Sequence, residues 1–378
     1  MSRAILIIGG GIAGLCAAIA LRHAGMQVKV YEKSSGPMPV GAGILIAPNA
    51  LQALQPYGIS GEMIRRGYPG DGFRLLSDRG RDLTRMAIPS DYGSQYSIHR
   101  KDLHDLLLTA LPSDTVEWGK SFSSLEQNEN GVRAAFCDGS QAEGDLLVAA
   151  DGIYSGVRSQ LFPGEPYRYA GYTCWRGVVP ADGLDGLTPH FIETWGTKGR
   201  FGIVPLPDRR VYWYALINAR QSDPRLADYS AADLHRLFQD YHAPIPDLLL
   251  RTGTADMIQR DIVDMAPMKC FYSDRVVFVG DAAHAITPNM GQGACQAMED
   301  VRVLSDCLLA SPDHREAFAL YQARRQKRIR QISAQSRKIG RVAQSESVLF
   351  TQFRNRLMKH VPARLSRRQA DQLYRFQT

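Results

Sequence analysis

Three glycines near the start of the chain, Gly9, Gly11 and Gly14, stand between an aliphatic run at 4–8 and an Ala- and Leu-rich segment at 15–23. This pattern predicts a buried strand, a tight turn and a helix. Gly9 would permit the turn, Gly11 would let the backbone approach a pyrophosphate, and Gly14 would let the helix pack closely on the strand. The unpaired N–H groups at the helix start would then face phosphate oxygens.

An acidic residue completes this pattern at the end of a second predicted strand. The segment 27–31 is followed by Glu32. Its carboxylate could accept hydrogen bonds from a ribose and would repel a 2′-phosphate. The order of strand, turn, helix, strand and acid is that of a dinucleotide-binding unit, and the acid favours FAD or NAD over NADP. The alternative is a glycine-rich turn in an unrelated parallel sheet.

Two later segments place an aspartate directly after a predicted strand. The run 145–150 is followed directly by Asp151, and the run 276–279 is followed by Gly280 and then Asp281. A second glycine turn at 291–293 precedes another predicted helix, whose free N–H groups could bind an anion or a carbonyl oxygen.

Together these three segments resemble the single-component FAD-dependent aromatic monooxygenases, the group A flavoprotein hydroxylases, near the urate-hydroxylase-like and zeaxanthin-epoxidase-like members. That family carries a glycine fingerprint, an Asp-Gly motif and a Gly-Asp motif in this order, and the resemblance covers about residues 1–330. It implies a bound FAD. The residues expected to bind it are Gly9, Gly11, Ala13, Gly14, Glu32, Lys33, Gly43, Arg100, Asp151, Asp281, Pro288, Gly291 and Gly293.

The resemblance also implies separate roles within this set. Glu32 would bind the adenosine ribose, and Asp281 the ribityl chain of the flavin. Pro288 and the 291–293 backbone would face the isoalloxazine ring, and Arg100 matches a flavin-contacting arginine at the start of a helix. The Asp-Gly motif would support both flavin and nicotinamide binding.

The chain is predicted to be an α/β protein with two discontinuous domains. We expect a Rossmann-like FAD-binding domain at 1–70, 99–165 and 266–330, an α+β substrate domain with a mainly antiparallel sheet at 71–98 and 166–265, and C-terminal helices at 331–378. Alternating aromatic and β-branched residues between 169 and 217 predict the substrate sheet, to which 73–98 would add strands. A capping-box pattern from Asp313 to Glu316 predicts a long helix that reaches about Gln344.

Positive charge is concentrated in the last part of the chain. The 378 residues have a formal net charge of +7, and residues 323–378 hold 15 Lys and Arg against two acids, Glu346 and Asp371. The rest is mildly acidic, so the charge does not indicate a nucleic-acid partner. We predict a helix with a solvated basic face and no stable membrane association, with a membrane-surface or partner-docking role as the alternative. The residues of this basic face are Arg324, Arg325, Lys327, Arg328 and Arg330.

The six cysteines are scattered along the chain. No two of them have the spacing of a zinc site or a redox dithiol. We therefore predict buried thiols, no metal, and a cytoplasmic protein in a reducing compartment. Either a monomer or a homodimer is compatible with the sequence.

The resemblance implies an NADH- or NADPH-dependent reaction with O₂. In that family the reduced flavin forms a flavin 4a-hydroperoxide, which hydroxylates a small aromatic or heteroaromatic substrate. The chain has no second glycine fingerprint after a strand, which favours a nicotinamide that binds transiently rather than in a domain of its own.

Arg200 and Tyr212 are the candidate catalytic residues. Period-2 alternation puts Tyr212 and Tyr214 on one strand face and Trp213 on the other, and a hairpin could bring Arg200 near Tyr212. The resemblance to urate-hydroxylating members implies substrate contacts for both candidates. Those members have a catalytic aspartate where this chain has Asn289, and an asparagine cannot act as the same base, which argues against urate.

Other activities stay open at this point. The Thr-Pro-Asn pattern also resembles plant-type epoxidases, so epoxidation is possible, as is an FAD-dependent dehydrogenase of the same fold. A halogenase is disfavoured because Trp195 and Trp213, the nearest pair of tryptophans, are 18 residues apart. A non-catalytic flavin-binding sensor is the third alternative. His284 is predicted to have a packing role.

Overall fold

The structure, a computed structural model, describes residues 3–37, 42–164, 167–184, 188, 190–359 and 363–376. Its strands are β1 (Ala4–Ile8), β2 (Gln27–Glu32), β3 (Gly43–Ile46), β4 (Tyr68–Gly70), β5 (Gly72–Ser77), β6 (Asp82–Ala87), β7 (Gln95–His99), β8 (Val116–Trp118), β9 (Phe122–Asn128), β10 (Gly131–Phe136), β11 (Gln141–Gly144), β12 (Leu146–Ala149), β13 (Tyr167–Pro180), β14 (Phe191–Gly196), β15 (Gly199–Leu206), β16 (Arg210–Asn218), β17 (Ile258–Met265), β18 (Tyr272–Ser273) and β19 (Val276–Phe278). Its helices are α1 (Ile12–His23), α2 (Pro48–Leu54), α3 (Ser60–Arg66), α4 (Arg100–Thr109), α5 (Gly156–Leu161), α6 (Ala231–Phe238), α7 (Ile245–Leu250), α8 (Asp281–His284), α9 (Gly293–Ala310), α10 (His314–Ala343), α11 (Val348–Met358) and α12 (Ala363–Tyr374). Short 3₁₀ helices occur at Gln55–Tyr57, Ser90–Tyr92, Pro224–Leu226, Thr254–Asp256 and Pro288–Met290.

A six-stranded sheet of order β18-β19-β12-β1-β2-β8 forms the centre of the first domain. Its strands pair in parallel except at the β18 edge. The central strand β1 is buried from Ile5 to Ile8 because helices cover the sheet. Ile8 pairs with Ala149, and Ala149 with Phe278, so β1, β12 and β19 end side by side. The segments that follow these three strands therefore meet at one edge of the sheet.

A seven-stranded sheet of order β17-β13-β16-β15-β14-β5-β6 forms the second domain. It is antiparallel except between β14 and β5. One face packs against α6 and α7 in a core that includes Phe201, Trp213 and Phe238, whereas Tyr212 and Tyr214 occupy the opposite face. The strand alternation predicted for this segment is thus confirmed.

The strands between 73 and 98 divide between two sheets. β5 and β6 join the large sheet as expected, but β7 pairs with β3 and β4 in a separate three-stranded sheet. The Ser97 hydroxyl of β7 donates a hydrogen bond to the Pro205 carbonyl of β15, so the small sheet lies against the large one. The mixed α/β fold is as predicted, while the domain boundaries stay a prediction.

Helix α10 begins and ends where the sequence predicts, but its first turn and its basic face differ. Asp313 caps the helix by accepting a hydrogen bond from the Arg315 N–H, whereas Glu316 accepts from Ser311 instead of closing a capping box. Arg325 and Arg328 are buried, so the prediction of a solvated face is wrong for these two residues. The other members of that face, Arg324, Lys327 and Arg330, are exposed.

Arg325 and Arg328 are buried because two acids of α9 pair with them. The periodicity of α10 alone does not reveal these partners. Arg325 forms ion pairs with Glu299 and with Asp300, and Arg328 with Glu299 at 2.7 Å. Arg328 also donates to the carbonyls of Gln372 and Leu373, which fixes α12 to the body of the protein. Within the described ranges, no helix combines the length and the apolar character that crossing a membrane requires.

Candidate active site

The first glycine turn is shaped by close contacts on one side and open on the other. Gly9 has φ 105°, and a Cβ on it would lie 2.5 Å from the Ala150 carbonyl oxygen. A Cβ on Gly14 would lie 1.9 Å from the Gly9 oxygen, so both positions exclude side chains. Gly11 caps α1, and a Cβ there would meet nothing within 4 Å. The backbone at the helix start is thus open to a ligand.

Glu32 holds this turn from the end of β2. Its carboxylate accepts hydrogen bonds from the Gly10 N–H at 2.6 Å, from the Ser34 N–H at 2.9 Å and from the Ser34 hydroxyl at 3.0 Å. The acid is half-buried and Lys33 beside it is exposed. Glu32 therefore shapes the turn itself, a role that the sequence pattern alone does not show, and its ribose contact stays a prediction.

Asp151 lies beside the same turn, after β12. Its Oδ2 accepts from the Val157 N–H at 3.2 Å, while its Oδ1 is buried without a hydrogen-bond partner in the part of the chain that the structure describes. Burial raises the pKa of this carboxyl. Because buried acceptors are normally satisfied, this oxygen is available to a ligand donor.

Asp281 begins α8 at the third motif. Its side chain is accessible to solvent, yet the surrounding protein displaces enough water to raise the pKa of the carboxyl, an effect that His284 and Arg100 oppose. Arg100 is itself exposed at the start of α4. Gly293 lies beside Asp281, since a Cβ on it would be 3.9 Å from Asp281 Oδ1. The carboxylate is thus free to bind a polar ligand chain.

The second glycine turn approaches β3, which in turn meets the large sheet. Pro288 is exposed, and Gly291 lies against Leu45 of β3. A Cβ on Gly43 would lie 2.4 Å from the Tyr212 ring, so only glycine permits this contact. The glycine turn, β3 and Tyr212 therefore form one continuous layer.

Arg158 connects two of the motifs. It is buried, and it donates to the Ala282 carbonyl at 2.6 Å and to the Ile153 carbonyl. His284 is buried beside Asp300 at 2.5 Å, which agrees with a packing role. These contacts hold the segments after β12 and β19 together.

These residues fit an FAD molecule laid along the edge of the six-stranded sheet. The open backbone at Gly11 suits a pyrophosphate, the orphaned Oδ1 of Asp151 is available to a donor, and the accessible Asp281 carboxylate can accept hydrogen bonds from hydroxyl groups. The direct contacts of Ala13 and the other predicted residues with the cofactor stay predictions.

A buried polar network lies on the face of the large sheet that meets this layer. Arg200 donates through Nε to Glu193 Oε1 at 2.7 Å and through Nη1 to Asn289 Oδ1 at 2.6 Å, and its Nη2 lies 2.5 Å from Glu193. The Tyr214 hydroxyl donates to the other Glu193 oxygen at 2.8 Å. Asn289 also donates to the Tyr172 hydroxyl at 2.9 Å. We call Arg200, Glu193, Tyr214, Asn289 and Tyr172 the Arg200 cluster.

Strand register explains why these groups meet. Glu193, Gly202 and Tyr214 lie opposite one another on β14, β15 and β16, and the missing side chain of Gly202 lets the Tyr214 ring cross to Glu193. Sequence reasoning missed Glu193, because a single acid in a strand of aromatic residues carries no signal of its partner on the next strand.

The cluster carries one balanced pair of charges. Burial opposes the ionised form of Arg200, but Glu193 outweighs it and keeps the guanidinium pKa above its ordinary value. Burial, reinforced by Glu193, raises the pKa of Tyr214 well above its usual range. At neutral pH the ion pair therefore has no net charge, and Tyr214 is a neutral donor.

Tyr212 shares this sheet face with Arg200 but not its position along the strands. Arg200 lies opposite Leu216, whereas Tyr212 lies opposite Val204. The Tyr212 side chain is hydrogen-bonded to Arg176, and burial raises the pKa of its hydroxyl. Its ring packs among apolar residues that include Val204 and Leu206. The sheet face thus has a polar end at Arg200 and an apolar end at Tyr212.

The chain matches the family described as FAD binding domain over residues 2–336. It is 36% identical over 360 residues to the aurachin C monooxygenase/isomerase of Stigmatella aurantiaca, covering 94% of this chain and 93% of that protein. It is 34% identical over 379 residues to the 2-heptyl-3-hydroxy-4(1H)-quinolone synthase of Pseudomonas aeruginosa, covering 98% and 97%.

A solved structure shares the whole architecture. The crystal structure of Klebsiella pneumoniae HpxO complexed with FAD and uric acid has a TM-score of 0.89 and 28% sequence identity, covering 98% of this chain and 96% of that one. The resemblance inferred from the three motifs and the prediction of bound FAD are confirmed. The chain therefore belongs to the FAD-binding-domain family, and it is an FAD-dependent monooxygenase of the aromatic hydroxylase type.

Proposed function

We propose that the enzyme uses NADH or NADPH and O₂ to hydroxylate a heteroaromatic ring that carries one carbonyl or hydroxyl oxygen and an apolar substituent, as a quinolone does. The observation that carries this proposal is the burial of Arg200 in an ion pair with Glu193 and a hydrogen bond to Asn289. Because Glu193 already neutralises this buried guanidinium, an anionic substrate would meet no uncompensated positive charge there. In this proposal Arg200 positions its neighbours, and its direct substrate contact stays a prediction of the resemblance.

Tyr212 is then the polar group left to bind the substrate. Burial raises its hydroxyl pKa, so the group is protonated at neutral pH and can donate to a ring oxygen. Arg176 beside it favours negative charge on that oxygen, which enriches the neighbouring ring carbon in electrons. The apolar neighbours Phe191, Val204 and Leu206 are buried and would accept an alkyl substituent.

Asn289 contributes to this preference. Its amide donates to the Tyr172 hydroxyl, to the Thr287 hydroxyl at 3.0 Å and to the Ser336 carbonyl at 3.0 Å, so it is fixed against α10. An amide held in this way neither removes a proton nor turns toward a substrate. A substrate that requires a carboxylate base at this place, as predicted for urate, is disfavoured.

The remaining chemistry divides between the cofactor and the chain. FAD, bound through Gly11, Asp151 and Asp281, would supply the activation of oxygen. The chain's own residues would orient the ring oxygen at Tyr212, exclude water with the apolar end of the sheet face, and keep the reacting carbon in place.

The names of two relatives support a quinolone-type substrate, since one is called a quinolone synthase and the other an aurachin C monooxygenase/isomerase.

All six cysteines are free, but Cys137 and Cys270 are exposed. The prediction of buried thiols is therefore wrong for these two, whose positions have no apolar contact pattern in the sequence. Free thiols favour a reducing compartment, and we propose a cytoplasmic enzyme that is a monomer or a homodimer.

The test is substrate-stimulated oxidation of NADH and NADPH by the FAD-loaded enzyme, with oxygen uptake and product mass recorded. We expect a 2-alkyl-4-quinolone to increase the rate about tenfold or more, equivalent to at least about 1.4 kcal/mol in the barrier, and to gain one oxygen atom. Stimulation by urate with no response to quinolones or hydroxypyridines would overturn the proposal.

A further inference from the structure

Helix α11 turns its apolar side chains toward solvent. Leu349, Phe353 and Leu357 are spaced about one turn apart and are 80%, 62% and 55% exposed. Val348 and Phe350 at the helix start are also exposed. A surface helix normally buries such a stripe, and a contiguous exposed apolar patch marks an interaction surface. We call these five residues the α11 apolar face.

The opposite side of α11 buries polar groups. Arg354 is 4% exposed and donates to the Val342 carbonyl at 3.0 Å, and its guanidinium carbon lies 4.9 Å from the centroid of the Trp195 ring. Burial, with the nearby Arg200, lowers the Arg354 pKa to about 10. These contacts fix the rotation of the helix, so the apolar face cannot turn inward without exposing or breaking them.

Cationic residues outnumber the acids around the α11 apolar face, with Glu346 exposed two residues before the helix. The helix contains no acidic residue, and Arg356, three residues after Phe353, lies on its exposed side. Lys359 directly after the helix is exposed, as are Lys338 and Arg341 near the end of α10. The surface is therefore apolar with cationic residues at its border.

We propose that α11 docks reversibly on a lipid surface that carries anionic headgroups, which is the membrane-surface role that the sequence left as the alternative. Leu349, Phe353 and Leu357 would enter the boundary between headgroups and acyl chains, while Arg356 and Lys359 would contact the anionic headgroups. A second copy of the chain fits less well, because two-fold pairing of this face would bring two mainly cationic borders together. The docking depends only on this surface and not on the substrate proposed above.

Sedimentation of the FAD-loaded enzyme with phospholipid vesicles tests the proposal. We expect more protein on vesicles that contain phosphatidylglycerol than on pure phosphatidylcholine vesicles. Binding should fall when salt rises from about 0.1 M to about 1 M, because the Debye length shortens from about 10 Å to about 3 Å. Equal binding to both kinds of vesicle, or none to either, would overturn the proposal.

Substitutions then locate the surface. Replacing Leu349 and Phe353 together by Ser should reduce partitioning about tenfold or more, and Arg356→Gln should reduce it roughly fivefold. The control Leu309→Ser removes a leucine of α9 that is 62% exposed and should leave binding unchanged. Unchanged flavin absorbance and thermal midpoint would show that each variant is folded.

Light scattering distinguishes docking on lipid from pairing with a second copy of the chain. We expect the same oligomeric state for the wild type and the double variant. If the wild type is a dimer that the Leu349 and Phe353 substitutions dissociate, the face joins two copies of the chain and the lipid proposal is wrong.

Discussion

The Tyr212 hydroxyl is the polar group that we assign to the substrate. Tyr212→Phe should lower kcat/KM for the best substrate about tenfold, because it removes one hydrogen bond worth about 1–1.5 kcal/mol. It should leave FAD binding unchanged. Stimulated NAD(P)H oxidation measures the effect.

Tyr169→Phe is the matched control for this substitution. The Tyr169 hydroxyl donates to the Ala219 carbonyl at 2.8 Å, outside the Arg200 cluster, so its loss should not change kcat/KM. Equal effects of the two substitutions would contradict the role of Tyr212.

Glu193 neutralises Arg200 inside the protein. Glu193→Gln leaves a buried guanidinium without its counter-charge, and it should lower the free energy of unfolding by about 3 kcal/mol or more. Glu143→Gln is the control, since Glu143 pairs with Arg133 at the exposed surface and should cost less than about 1 kcal/mol. Denaturant unfolding of both variants measures the difference, and similar losses would count against a structural ion pair at Arg200.

Residues whose task depends on local sequence could be predicted, and residues whose task depends on strand neighbours could not. Gly9, Gly14 and Asp281 stand next to the strands that position them. The roles of Glu193 and Asn289 depend on their contacts with Arg200, which lies on a different element from either of them. Tyr212 was placed on the correct face, because alternation is a local property of a strand.

At the scale of elements, the contact between α9 and α10 should make the free energy of unfolding depend on pH in the acidic range. Burial alone would raise the pKa values of Glu299 and Asp300, but Arg325 and other partners lower them below their ordinary 4.5 and 3.8. A lowered native pKa means that the stabilisation is present above the unfolded-state pKa and is lost as pH falls further. The free energy of unfolding should therefore drop as pH falls from about 5 toward 2.

Glu299→Gln tests this contact. The variant should be less stable than the wild type by about 3 kcal/mol at pH 7, and the difference should shrink in acid as the wild-type carboxylate takes up a proton. Asp306→Asn, at a half-exposed pair with Arg302, should show little change at either pH. A difference for Glu299→Gln that does not vary with pH would exclude the ionised carboxylate as its cause.

Element types followed from the sequence more reliably than element partners did. The limits of α10 were predicted, because its end signals and periodicity are local. Its first-turn contacts and its buried arginines were not, because Glu299 and Asp300 stand in another helix. The place of β7 in the small sheet was not predicted for the same reason, because its pairing with β3 and β4 depends on residues far along the chain.

For the whole molecule, the contact between Gly43 of β3 and Tyr212 of β16 is one of those that join the small sheet to the seven-stranded sheet. Gly43→Ala would push a methyl group into the Tyr212 ring, at a cost of about 1–3 kcal/mol, and should shift the ring relative to the cofactor layer. We expect a larger share of NAD(P)H oxidation to end as hydrogen peroxide. Gly61→Ala, whose Cβ would meet nothing within 4 Å, is the control, and unchanged peroxide release by Gly43→Ala would contradict this account.

The convergence of the three motifs could be predicted at this scale, because the ends of parallel strands share one edge. How the large sheet lies over that edge could not, since it depends on β3 and Tyr212 touching across the two domains.

The strand order of the six-stranded sheet also has a consequence for biosynthesis. β1 leaves the ribosome well before one of its two neighbours, β12, because β2 to β11 are made between them. Until β12 emerges, an aliphatic edge from Ile5 to Ile8 lacks its native neighbour, the kind of edge that invites aggregation. Chaperone demand during translation should therefore be greatest before Ala149 emerges.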